Sequence, residues 1–143
     1  MIRLLAAAVF LVALHSASDA HELRPGFLEI RQTGAETYDI RFKVPARGDM
    51  RLGLHVRLPA GCADTAPRRN EQAGAALLEH LAVRCPGGLA NREVSIDGLS
   101  GTFTDVVVRV ESDSGAVQAA RLTPDNPSFI VEPAPTWIET ART

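Results

Sequence analysis

The sequence predicts an all-β fold: an antiparallel, immunoglobulin-like (Ig-like) β-sandwich of about seven or eight short strands closed by one disulfide. Three observations predict it. Apolar residues recur at every second position through several separate runs. Turn-forming clusters fall between those runs at intervals of about 8–15 residues. Two cysteines stand in a chain that opens like an exported one.

The opening comes first. Arg3 supplies a positive charge, Leu4 to Leu14 form an apolar run of 11 residues, and Ser18-Asp19-Ala20 places small residues around a cleavage site. This three-part pattern is that of a signal peptide over residues 1–20, and the run is well short of the roughly 20 residues that span a bilayer. Cleavage after Ala20 makes His21 the first residue of the exported chain.

The strands follow in order. Phe27–Arg31 is the first predicted strand, and Tyr38, Ile40, Phe42 and Val44 then alternate with Asp39, Arg41 and Lys43. Leu52, Leu54, Val56 and Leu58 repeat the pattern against Gly53, His55 and Arg57. Leu77, Glu79, Leu81 and Val83 follow it less cleanly, and the Ala-rich stretch Glu71 to Leu78 admits a helical turn or a covering loop instead. Val94 and Ile96, then Val106, Val108 and Val110, alternate again; Val117–Leu122 and Ser128–Val131 complete the set. Between them lie Thr33-Gly34, Arg47-Gly48-Asp49, Pro59-Ala60-Gly61, Asp97-Gly98, Asp113-Ser114-Gly115 and Pro124-Asp125-Asn126-Pro127, all turn chemistry. From Glu132 onward Pro133 and Pro135 mark an extended tail. The predicted domain therefore occupies residues 21–132, with a linker over 133–143.

Cys62 and Cys85 are the chain's two cysteines, and both lie beyond the signal peptide. An even count in an exported chain predicts that they are bonded to each other. A thiolate metal site would need closer spacing, such as C-x-x-C.

Composition narrows the function. Lys+Arg number 15 against 17 Asp+Glu, a net charge of −2, which predicts no nucleic-acid partner. No enzyme motif is found. Gly98-Leu99-Ser100-Gly101 approaches a nucleophile elbow, but Thr102 stands where that motif needs glycine, and the elbow requires a parallel strand feeding a helix. Asp97 and Asp105 read as turn residues, and there is neither a phosphate-cradling glycine loop nor an H-E-x-x-H. The chain is predicted not to be an enzyme.

The candidate metal ligands are the histidines His21, His55 and His80. His21 stands apart, because after cleavage its free α-amino group and imidazole could chelate one Cu²⁺ or Ni²⁺, ions that favour nitrogen donors. A third donor could come from Glu22, His55 or His80.

Four segments resemble a known family. They are His21-Glu22-Leu23-Arg24-Pro25 leading into Phe27–Ile30; Lys43 through Leu52; Ile96-Asp97-Gly98-Leu99-Ser100 followed by Thr104–Arg109; and Pro127-Ser128-Phe129 with Val131. In order and spacing they resemble the exported N-terminal region of the HupE/UreJ membrane proteins, a bacterial family linked to hydrogenase and urease accessory functions. The resemblance implies a periplasmic domain that precedes a bundle of transmembrane helices, the first carrying a metal-associated His/Asp motif. This sequence stops at Thr143, where that helix would begin, so the membrane region is absent from this chain and none of its motif residues carries over. The implied role is accessory: assisting transition-metal handling (nickel or copper) beside a membrane partner. The alternative is a non-catalytic interaction module with no metal ligand.

Overall fold

Side chains that alternate along a strand point to opposite faces, so each period-two run supplies one apolar face that has to be covered. The computed structural model describes residues 24–47 and 50–135. The predicted signal peptide, His21, the Gly48-Asp49 pair and the end of the predicted linker lie outside the described residues.

The strands are β1 (Gly26–Gln32), β2 (Thr37–Arg47), β3 (Met50–Arg51), β4 (His55–Arg57), β5 (Ala63–Asp64), β6 (Arg69–Gln72), β7 (Ala76–Arg84), β8 (Glu93–Asp97), β9 (Val106–Glu111), β10 (Val117–Leu122) and β11 (Ser128–Ile130). They form two sheets. The large one runs β10-β9-β1-β2-β7, with β5 and β6 both paired to β7 and β3 paired to β2; the small one runs β11-β8-β4. Leu28 and Ile30 of β1, Ile40, Phe42 and Val44 of β2, Leu81 and Val83 of β7, and Val106 and Val108 of β9 are buried from the large sheet. Val94 and Ile96 of β8 meet them from the small sheet, with Val56 and Phe129 packed at its margins. The predicted β-sandwich is the observed fold.

Its antiparallel character has one exception, a correction to the prediction: β1 and β9 run parallel, Gly26 beside Val106 and Arg31 beside Glu111. The chain leaves β8 in the small sheet and makes a 3₁₀ turn at Leu99–Gly101. It then crosses to the large sheet, where Gly26 N–H donates to the Asp105 carbonyl at 2.9 Å. A strand that arrives by changing sheets, rather than by a hairpin, is free to enter in either direction.

The run Leu52–Leu58 is not one strand. Met50–Arg51 pairs in the large sheet, His55–Arg57 pairs in the small one, and the residues between carry the chain across. Leu54 is fully buried at that crossing. Gly98, with φ of 87°, lies so close beneath it that a Cβ there would collide with the Gly53 carbonyl. The sequence alternation persists because alternate residues still face the core; the continuity of hydrogen bonding does not.

The Ala-rich segment is neither a helical turn nor a covering loop. Residues 69–84 form a hairpin, closed by mutual hydrogen bonds between Ala73 and Ala76 around Gly74 at φ 61°. The helix propensity of alanine is weak beside the pairing available here: β7 pairs with β2 from Thr37 opposite Arg84 to Pro45 opposite Ala76.

Three devices tie the sheets together. Cys62, which follows β4 of the small sheet, is bonded to Cys85 at the end of β7 in the large one. The Arg92 guanidinium donates to the carbonyls of Pro86, Gly88 and Ala60, binding the same two loops without covalency. At the far edge, the Gln118 side chain of β10 donates to the Ile130 carbonyl and accepts from Glu132 N–H, each at 2.9 Å, in place of backbone pairing.

Because the disulfide spans 23 positions, converting both cysteines to alanine is expected to lower the unfolding free energy by about 3 kcal/mol in urea titration. The oxidised protein should also be about 2 Da lighter than its reduced form by mass spectrometry, as one S–S bond requires.

Candidate functional site

The outer face of the large sheet carries the densest polar chemistry among the described residues. Strand register places its side chains in rows. One row runs Arg109, Glu29, Arg41, His80 and Arg69 across β9, β1, β2, β7 and β6. The next holds Glu111, Arg31, Asp39 and Ala82. Charges of opposite sign that face each other across strands favour pairing modestly, and exposed pairs contribute little to stability.

Within these rows Arg109 Nη1 donates to Glu111 Oε2 at 2.8 Å. Arg31 lies 3.5 Å from Glu29 and 3.9 Å from Glu111. His80 Nε2 lies 3.4 Å from Glu71 Oε2. The hydrogen bond from Arg109 holds the Glu111 carboxyl below the ordinary glutamate value; partial desolvation opposes this, and the positive charges of Arg109 and Arg31 reinforce it.

Where Ala82 stands among charged neighbours, the face dips into a cleft of about 170 Å³, walled by Arg31, Arg41, Arg69 and His80 on the sheet and by Ala66 and Pro67 of the loop before β6. That loop is pinned by Thr65 N–H donating to the Ala82 carbonyl at 2.8 Å.

A second polar feature lies on the inner side. Glu79 of β7 has the same parity as Leu81 and Val83 and is 7% exposed. Arg51 Nη1 lies 3.4 Å from its Oε2, and Arg68 Nη1 lies 3.7 Å from its Oε1. Arg68 is also bonded to Asp64, which pushes the guanidinium further above its ordinary value. The pair of arginines makes burial of this carboxylate tolerable.

The residues singled out from the sequence fall as follows. His21 lies outside the described residues. His55 sits exposed on β4 of the small sheet, in register with Asp97, whereas His80 is on the outer face of the large sheet. They occupy opposite faces of the sandwich. Among the described residues no three His, Cys, Asp or Glu side chains gather to hold a metal ion. Ser100 belongs to the 3₁₀ turn. Asp97 is paired with Arg57 at 2.8 Å and Asp105 with Arg121 at 2.6 Å, so the two do not act on each other. Cys62 and Cys85 are joined, a bond sustained in an oxidising, exported compartment.

Sequence reasoning missed Glu79 and the cleft. The one available signal for Glu79 was a carboxylate at an inward position of an otherwise apolar alternation. Nothing in the linear pattern places Arg41, His80 and Arg69 side by side, because they come from three strands.

No family model and no curated protein matches the chain. Among the described residues, no helix is long and apolar enough to cross a membrane.

Two outcomes follow from this geometry. Replacing Glu79 by Gln removes the charge that Arg51 and Arg68 share, and is expected to cost about 1–2 kcal/mol of stability in chemical denaturation. Glu111 should titrate below a free glutamate in an NMR pH titration, and Arg109→Ala should move it back toward the ordinary glutamate range. A carboxyl depressed in the folded state adds stability above the unfolded pKa and loses it as pH falls through the folded one. The wild-type advantage over Arg109→Ala should therefore vanish in acid.

Proposed function

We propose that this chain is the exported, non-catalytic accessory domain of a HupE/UreJ-type membrane protein, working in the periplasm to assist transition-metal handling. The observation that carries this reading is that the four segments resembling the family form one connected set in the fold. Phe27 of the first pairs with Lys43 of the second. Gly26 pairs with Val106 of the third, and Ile96 N–H of the third donates to the Pro127 carbonyl of the fourth at 3.0 Å. Segments that share a single structural role are those a family would keep together.

On this reading the metal donors are the His21 amine and imidazole, with Glu22 adjacent, because the described residues hold no metal-binding group. Arg24 enters where β1 and β9 begin, and Glu132 leaves beside Gln118 near the start of β10, at the opposite end. The second reading is a non-catalytic interaction module with no metal ligand.

Calorimetric titration separates the two. Protein processed to His21 is expected to bind Cu²⁺ more tightly than Ni²⁺. Its affinity should fall as pH drops through about 6.5, where imidazole protonates. A Met-extended form and His21→Ala should each bind more weakly. Equal Cu²⁺ affinity in all three would leave the interaction module as the function.

A further inference from the structure

The arginines of the outer face are not equivalent. Arg31, Arg84, Arg109 and Arg121 each have a carboxylate partner, as do Arg51, Arg57 and Arg68 elsewhere. Besides Arg47 at the end of β2, Arg41 and Arg69 have none among the described residues, neither an ion pair nor a side-chain hydrogen bond. They flank His80 in register on either side. Neighbouring strands lie about 4.8 Å apart, so the two guanidinium stems rise roughly 10 Å from each other with an imidazole between them. Neither guanidinium has a counter-charge within ion-pair distance, and one anion between them would supply it.

Two of the three nearest carboxylates are already engaged, and Asp39 forms no ion pair among the described residues. Glu29 is held by Arg31, and Glu71 by His80. Asp39 lies in the adjoining row, beside Arg31. The cleft they border therefore carries three arginines, Arg31, Arg41 and Arg69, against Glu29 and Asp39, with His80 at its floor. About 170 Å³ is room for a small molecule and not for a folded partner. The two carboxylates restrict where negative charge can sit, confining it to the side of the cleft between Arg41 and Arg69.

We infer that this cleft binds a small oxyanion, held between the guanidinium groups of Arg41 and Arg69 that stand on either side of His80. Guanidinium is suited to this, because its planar donors match two oxygens of a carboxylate or phosphate at once. The loop carrying Ala66 and Pro67 screens one side from solvent, which strengthens the attraction relative to an open surface. This site is independent of the His21 donors and of the membrane reading.

The test uses the full secreted chain in its disulfide-bonded form, titrated with inorganic phosphate and, separately, with malonate, at constant ionic strength set by NaCl. Amide NMR shifts report the position of binding. Saturable shifts centred on Arg41, His80, Arg69 and Ala82 are expected. Arg41→Gln and Arg69→Gln should each weaken binding about tenfold, the loss of one charge-assisted hydrogen-bonding group. Arg57→Gln, on the other sheet, should leave affinity unchanged, and His80→Gln should reduce it less than either cleft arginine. Phosphate binding alone identifies an inorganic or phosphoryl ligand, malonate binding alone a carboxylate; either supports the site. Absence of saturable shifts with both probes overturns it, as does equal weakening by Arg57→Gln, which would mean diffuse attraction to a charged surface.

Discussion

Two sheets of unequal width have to share one apolar layer, and most of the structure answers that mismatch. The large sheet presents inward side chains from β1, β2, β7 and β9, whereas the small one offers only β4, β8 and β11. Three strands cannot cover the whole inner face. Residues from crossings and turns fill in: Leu54, Leu89, Leu99 and Val131 are all buried. Burying each such side chain is worth about 1.5–3 kcal/mol, which makes irregular segments as important to this core as the strands. The two ends of β7 and the edge at β10 are where coverage runs out. There the structure turns to Glu79 between two arginines, to the disulfide and to the Gln118 amide.

The disulfide and Tyr38 work on the same corner. The Tyr38 hydroxyl accepts from Leu89 N–H at 2.8 Å, holding the turn that follows Cys85. Cys85 N–H itself donates to the Glu36 carbonyl at 2.7 Å. The covalent bond therefore closes a corner already organised by hydrogen bonds, and Arg92 secures the loop on its other side. In a domain of this size such a staple supplements a modest core.

The outer face obeys a different logic. Its ion pairs are exposed and contribute little to holding the fold, so its charges are free to be arranged for recognition. Most arginines there are neutralised by a neighbour. Among the described residues, Arg41 and Arg69 are not, and they stand on either side of His80, beside a hollow that exists because Ala82 occupies a position its neighbours give to charged residues. The Arg-rich composition says nothing of this arrangement, since the arginines are scattered along the sequence.

The period-two alternation, the turn chemistry and the paired cysteines determined the fold class without reference to any contact. Tyr38–Val44 and Val106–Val110 are strands with their apolar faces inward, as their residues dictate, because alternation is a local property of an extended chain. Only the tertiary structure decided that β9 runs parallel to β1, that Leu52–Leu58 changes sheets at Leu54, and that an alanine-rich segment pairs as a hairpin. Those outcomes depend on which strand lies beside which, and burial of the whole core settles that order rather than any single run. The same holds for the chemistry. His55 and His80 look equivalent in the sequence, yet they lie on opposite faces of the sandwich. Arg41, His80 and Arg69 are far apart in the sequence and become neighbours only across three strands, where lateral register, invisible in a linear pattern, brings their charges together.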